Sequence, residues 1–208
     1  MTDDLQRTEA WHADRAGKFT GSKFVDLVAR NKKTGEKLAS WDKLIWQVVT
    51  ERMTGVQEEG LDSFSLRWGR EVEPFAREAY ELETGLMVVE SAFVNHQNYP
   101  FAGCSPDGLV GKDGGVEMKS PKDSSIHLSR FITGIPDEIK PQVQGFLWVC
   151  ERDWCDFVSY DPRQKDRFRL LRIRAHRDEA LIKLIEESVL EAEAAAQDLQ
   201  ARLEMLAA

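Results

Sequence analysis

The stretch CSPDGLVGKDGGVEMKSP, Cys104 to Pro121, places two turn signals close together. Pro106-Asp107-Gly108 marks one reversal, and the glycine-rich run from Gly111 to Gly115 marks another. The apolar runs around them, Leu109-Val110 and Val116 to Met118, are too short for helices between such breakers. Consecutive strands are the conformation left, and strands put residues i and i+2 on one face. Glu117 and Lys119 therefore project together, while Val116 and Met118 face the other way. Asp107 stands at the preceding turn, close enough in a meander to meet them.

Two carboxylates converging beside an ammonium are costly unless a divalent cation lies between the acids. Mg²⁺ suits them, being a hard cation that takes carboxylate, carbonyl and water oxygens. Such a cluster supports phosphodiester hydrolysis: the metal polarises the phosphate and activates a water, and Lys119 orients that water or offsets developing charge. An isolated D…ExK pattern equally describes a surface hairpin with a solvated Glu/Lys pair, so the rest of the chain must decide.

Helices are expected first. Gly21 to Arg30 follows a Thr-Gly-Ser start signal. Ser40 is a candidate N-cap for a helix with Trp41, Leu44, Ile45, Val48 and Val49 on one face, ended by Gly55. A third helix, about Leu66 to Thr84, turns Val72, Phe75, Ala76, Ala79 and Tyr80 inward; Pro74 marks its start or a bend, and Gly85 its end. LMVVESAFV, FAGCSPDGLVG and GVEMKS read as three consecutive strands. Helices near Ser124 to Thr133 and Asp137 to Glu151 follow, then strands near Asp156 to Tyr160 and Phe168 to Ala175, and a last long helix from about Asp178. The expected fold class is α/β, a mixed central β-sheet flanked by helices, in a single domain over 1–208 with a C-terminal acidic helix from about 177.

The net charge of −8 argues against coating nucleic acid by bulk electrostatics. It is unevenly spread: Arg177 to Ala208 carries −5, so an acidic helix on an outer surface leaves room for a basic cleft elsewhere. The three cysteines, Cys104, Cys150 and Cys155, show neither a disulfide framework nor zinc-ligand spacing and read as buried thiols. Most of the six tryptophans are expected in the core, with Trp11, beside Arg15, the exception. With no apolar run long enough for a span and no signal-peptide pattern at the start, a cytoplasmic protein without membrane attachment is expected.

The spacing of Pro106-Asp107 and Glu117-Met118-Lys119 resembles the motif of the PD-(D/E)XK nuclease superfamily. Together with WHADRAGKFTGS (Trp11 to Ser22), LRWGREVEPFAR (Leu66 to Arg77), PQVQGFLWV (Pro141 to Val149) and YDPR (Tyr160 to Arg163), it resembles the phage lambda exonuclease family, the YqaJ-type recombination nucleases. The resemblance implies that Asp107, Glu117, the Met118 backbone carbonyl and Glu73 hold two Mg²⁺ ions, for which Mn²⁺ substitutes, while Lys119 serves the water. It matches Gln144 to an active-site glutamine, leaving Gln142 as packing or solvated. Arg15, Ser22 and Ser105 match a clamp for a terminal 5′-phosphate, Trp11 lies beside it, and Leu66 matches a wedge that opens the last base pair.

The function implied is a Mg²⁺-dependent exonuclease that digests one strand of linear double-stranded DNA from a 5′-phosphate end. It would release 5′-mononucleotides and leave 3′ overhangs for recombination by strand annealing. The family implies a homotrimer working beside a single-strand annealing protein in the cytoplasm of a bacterial host cell. The alternatives are a PD-(D/E)XK endonuclease, of restriction or junction-resolving type, and a catalytically silent DNA-end-binding protein.

Overall fold

The computed structural model describes residues 5–58 and 63–207. Helix α1 (Glu9–Arg15), capped by the Thr8 hydroxyl, precedes strand β1 (Phe19–Thr20), a 3₁₀ turn at Gly21–Lys23, and the short α2 (Phe24–Val28). Helix α3 (Ala39–Thr54) buries the expected stripe Trp41, Leu44, Ile45, Val48 and Val49 and stops at Gly55, left-handed at φ 72°. Its N-cap is Leu38, with no side-chain cap, so Ser40 lies inside the helix. The helix expected over Gly21 to Arg30 is confined to α2, because Ala29 is already extended.

Helix α4 (Phe64–Thr84) opens where the Ser63 hydroxyl accepts from the Leu66 amide and closes on the left-handed Gly85. It runs through Pro74 and turns Val72, Ala76 and Tyr80 inward, while Phe75 stays exposed. The following strands are β2 (Val88–Val89), β3 (Val94–Asn95), β4 (Ala102–Cys104), β5 (Gly108–Val110) and β6 (Gly114–Lys119). Helices α5 (Ser124–Thr133) and α6 (Lys140–Val149) lead to β7 (Trp154–Tyr160), β8 (Leu170–His176) and α7 (Glu179–Ala207).

Two sheets form instead of one meander. The larger has the order β2-β5-β6-β7-β8, with β6 and β7 parallel and the other neighbours antiparallel. The smaller has the order β1-β4-β3. LMVVESAFV is therefore split between β2 in one sheet and β3 in the other, and FAGCSPDGLVG between β4 and β5. The larger sheet is covered on one face by α4, where Val72, Ala76 and Tyr80 meet Val116, Met118 and Val158. Below Tyr80, the fully buried Asp156 of β7 accepts from the Tyr80 hydroxyl at 2.9 Å and from two nitrogens of Arg174, tying helix to sheet.

The second core gathers α2, α3, α6 and α7. Helix α7 is not an outer appendage. Ile182, Ile185, Val189, Ala192 and Ala196 are buried, and Glu193 pairs with Arg52 at 2.5 Å across the packing. Trp41 and Trp148 are buried, but Trp46 is exposed and Trp11, Trp68 and Trp154 are half-buried, so the tryptophans line edges more than the core. All three cysteines are free thiols; Cys104 and Cys155 are buried.

Glycines set the spacing around β6. A Cβ on Gly115 would lie 2.2 Å from the Phe146 ring and 2.9 Å from the Gly108 carbonyl. Gly111 (φ 57°) supplies the left-handed turn before the strand. Gly115→Ala is expected to cost about 1–3 kcal/mol through overpacking, measured as a lower urea midpoint at unchanged m-value.

Candidate active site

Alternation along β6 sends Val116 and Met118 into the core beneath α4 and leaves Glu117 and Lys119 on the opposite face. Lys119 donates to Glu117 in a close ion pair. Asp107 sits at the turn into β5, and its Oδ2 accepts the Met118 amide at 2.7 Å, which locks the turn against the strand. Helix α4 contributes Glu73, which lines the same two adjoining recesses as Asp107. Arg7 reaches Glu73 Oε2 at 3.4 Å, and Arg77, one helical turn on, lies 3.8 Å from Oε1. Three carboxylates from a turn, a strand and a helix thus converge beside one ammonium.

Their electrostatics are those of an undercompensated cluster. Burial first, then Asp107, raise Glu117 to about 7 against the opposing pull of Lys119. Burial and then Asp107 likewise raise Glu73. Burial alone would lower Lys119, but Glu117 and Asp107 hold it above the ordinary lysine value, so it stays protonated and can only donate.

Beyond Glu117 a recess is lined by Arg15, Gly21, Ser22, Ser105 and Gln142. Arg15 Nη1 donates to Ser105 Oγ at 2.8 Å, and the Trp11 indole donates to the same hydroxyl at 3.0 Å. The guanidinium lies over the Trp11 ring, 4.3 Å from its centroid. Burial lowers Arg15, the direction expected of a cation removed from water. No carboxylate forms an ion pair with it among the described residues, and Glu51 acts on it only through space. The Arg15 Nε is buried without a hydrogen-bond partner among the described residues. Ser22, exposed on the 3₁₀ turn, forms the opposite wall.

The structure brings Asp107, Glu117, Lys119, Glu73 and the Met118 backbone together, and beside them Arg15, Ser22, Ser105 and Trp11. Leu66, in the first turn of α4, is 56% exposed and lines the groove that also holds Lys119 and Asp107. Gln144 is the exception. It is buried, its Nε2 donates to the His176 carbonyl and its Oε1 accepts the Asp178 amide, so both ends fasten β8 to α7. Gln142, two residues earlier and on another face of α6, is the glutamine in the recess beside Glu117. Arg7 was also missed, since α1 and the segment before it carry too few apolar residues to show a period.

The donor set fits a hard divalent cation: carboxylate oxygens and a strand carbonyl, with repulsion that added positive charge would relieve. As placed, no three Asp, Glu, His or Cys side chains enclose one ion among the described residues. Lys119, the Met118 amide and the pair Arg7 and Arg77 hold the carboxylates instead. A bound cation would be held by Asp107, Glu117 and Glu73 in exchange for these contacts.

A mixed sheet flanked by helices, with Asp107 at its turn and Glu117 and Lys119 on the next strand, is the nuclease arrangement of the PD-(D/E)XK type. Within that class, the YqaJ-like viral recombinase domain matches residues 10–153, and the chain belongs to that family, the lambda exonuclease family. It is similar to an alkaline exonuclease from Laribacter hongkongensis: 36% identity, TM-score 0.87, covering 96% of this chain and 98% of the other. The complex of that enzyme with dAMP matches at 37% identity and TM-score 0.84, covering 96% and 100%. A phage-related exonuclease from Haemophilus somnus 129PT shares the fold at 17% identity and TM-score 0.67, covering 89% and 96%. No curated protein sequence matches the chain.

The raised Glu117 makes stability pH-dependent in a definite sense. A carboxyl that ionises in the unfolded chain near 4.5, but in the fold only near 7, costs stability as pH rises through that window. In EDTA, the Tm is expected to fall by roughly 5 °C from pH 5 to pH 7.5, and Glu117→Gln to flatten that slope. An unchanged slope in the variant would show that Glu117 is not strained.

Proposed function

We propose that the protein is a Mg²⁺-dependent exonuclease that digests one strand of linear double-stranded DNA from a 5′-phosphorylated end. The observation that carries this reading is the recess of Arg15, Ser22 and Ser105 directly beside Glu117 of the carboxylate cluster. Support also comes from the relative named an alkaline exonuclease and crystallised with dAMP, a 5′-mononucleotide of the kind such a reaction releases.

Bound to Asp107, Glu117, Glu73 and the Met118 carbonyl, Mg²⁺ would polarise the scissile phosphate and lower the pKa of a water, with Mn²⁺ able to replace it. The chain's own groups do the positioning. Lys119, held protonated, orients the attacking water by donation and offsets charge on the phosphate oxygens. Attack at phosphorus breaks the P–O3′ bond. The released nucleotide keeps its 5′-phosphate and gains a 3′-hydroxyl; the remaining strand keeps the scissile phosphate as its new 5′ end. Arg15, with the Ser105 and Ser22 hydroxyls, receives the 5′-phosphate, and each cut regenerates the group they bind. Leu66, exposed on the groove, separates the end base pair, and Gln142 takes the position beside the terminal nucleotide.

In this reading the 3′ overhang left behind passes to a single-strand annealing protein, and three copies form a ring. A chain of net charge −8 has little non-specific hold on DNA, so long digestion tracts need enclosure. Sedimentation at micromolar concentration is expected to give a trimer; a monomer there would remove the ring.

Asp107→Ala, Glu117→Ala and Lys119→Ala should each abolish cleavage while remaining folded, and a closed circular duplex should stay intact where an endonuclease would cut it. Duplex with a 5′-hydroxyl should be digested on the order of ten- to a hundredfold more slowly than 5′-phosphorylated duplex, with Arg15→Ala removing most of the difference. Equal rates on both ends by the unaltered protein would show that no phosphate clamp operates.

A further inference from the structure

On the far side of Lys119 from the 5′-phosphate recess lies a groove whose walls include Leu66, Arg70, Lys119, Ser120, Pro121 and Arg130. Arg130 is 7% exposed, on the buried face of α5. The one hydrogen bond of its side chain among the described residues runs from Nη1 to Ser159 Oγ at 2.9 Å, and it forms no ion pair among them. Its Nε is buried without a partner among the described residues, as is the hydroxyl of Ser120 next to Lys119. Burial lowers the pKa of Arg130 and Glu138 opposes that only from beyond ion-pair distance, so the guanidinium is buried without a contacting carboxylate, which is costly and marks a place kept for an anion.

The position of Arg130 is enforced from behind. One helical turn before it, His127 is fully buried and donates from Nε2 to the Phe168 carbonyl, which leaves Nδ1 to accept the Ser159 hydroxyl at 2.9 Å. The oxygen of Ser159 is then turned toward Arg130. Ser159 is also the register partner of Lys119 in the parallel β6–β7 pair, so the Arg130 anchor lies one strand spacing, about 4.8 Å, from the lysine of the cluster. Phe157, partner of Glu117, lies under the guanidinium, 5.5 Å from ring centroid to Cζ.

The 5′-phosphate recess and this groove share no lining residue, and Glu117 belongs to the first while Asp107 and Lys119 belong to the second. A strand with its end in the recess and its scissile linkage at the carboxylates must continue into the groove. Resting on the exonuclease reading above, we propose that Arg130, with Ser120, is a second phosphate clamp that grips the linkage immediately 3′ of the scissile one. It holds the cut strand on both sides of the reacting phosphorus. The device sets register: a strand pinned at its 5′ end and one linkage beyond the cut presents a single phosphate to Asp107 and Glu117.

The test uses 5′-phosphorylated duplexes carrying one neutral methylphosphonate at a chosen linkage, with binding read by fluorescence anisotropy in Ca²⁺. Neutralising the second internal linkage from the 5′ end is expected to weaken binding about tenfold for the unaltered protein, and no more than about twofold for Arg130→Gln. No loss at that linkage, or an equal loss in the variant, would overturn the proposal; a purely structural arginine would weaken every duplex alike. If thermal melting shows Arg130→Gln unfolded, Arg130→Lys replaces it, with an intermediate penalty expected and an undiminished one counting against the clamp. Cleavage of the unmodified duplex in Mg²⁺ is scored separately: if the unaltered protein leaves it intact, the exonuclease reading fails on its own account.

Discussion

The parallel pairing of β6 with β7 is the constraint on which the other arrangements hang. Parallel neighbours cannot be joined by a tight turn, so the chain must leave the sheet and return, and it does so through α5 and α6. That excursion brings His127 and Arg130 to one end of the strand pair and Gln142 and Phe146 to the other part of the same face. The register then fixes neighbours: Glu117 beside Phe157, Lys119 beside Ser159. The cost of keeping that face open is carried by Gly115, whose missing side chain lets Phe146 pack directly on the strand.

Charge is used locally against its own sum. The chain is acidic overall, and the carboxylates Glu73, Asp107 and Glu117 are gathered where they repel. Around them stand guanidiniums and an ammonium, some tied to acids, as Arg7 and Arg77 are to Glu73, others without an ion pair among the described residues, as with Arg15 and Arg130. The first kind stabilises the resting protein. In the proposed reading the second kind receives an anion, and an aromatic surface (Trp11 under Arg15, Phe157 under Arg130) supports each without neutralising it.

How much of this was legible in the sequence follows from which forces are local. Alternation along Val116 to Lys119, the helix from Ser124 to Thr133 and the glycine stops at Gly55 and Gly85 depend on neighbours within a few residues, and the structure agrees with each. Sheet partnership is not local. LMVVESAFV carries strand propensity throughout, yet pairing with β5 claims one end and pairing with β4 the other. The two glutamines show the same limit: i and i+2 on a helix must face different ways, but α6 is buried nearly all round, so only its packing reveals that Gln144 fastens β8 to α7 while Gln142 looks into the recess. Arg130 was invisible because a lone arginine in a helix reads as a solvated surface group until the helix is seen to turn it inward.

The crowding of Glu73, Asp107 and Glu117 also bears on how variants of this protein can be sorted. Under the proposed function, replacing Glu73 or Glu117 by its amide relieves repulsion while keeping an acceptor for the neighbouring cation, so the disabled protein is the more robust one when no cation is bound. Screening a library by solubility, heat resistance or protease survival would enrich inactive members at these positions. Depth of conservation under such a screen would be inverted relative to depth under selection for cutting, and the comparison of the two would mark the working carboxylates without any assay of the reaction.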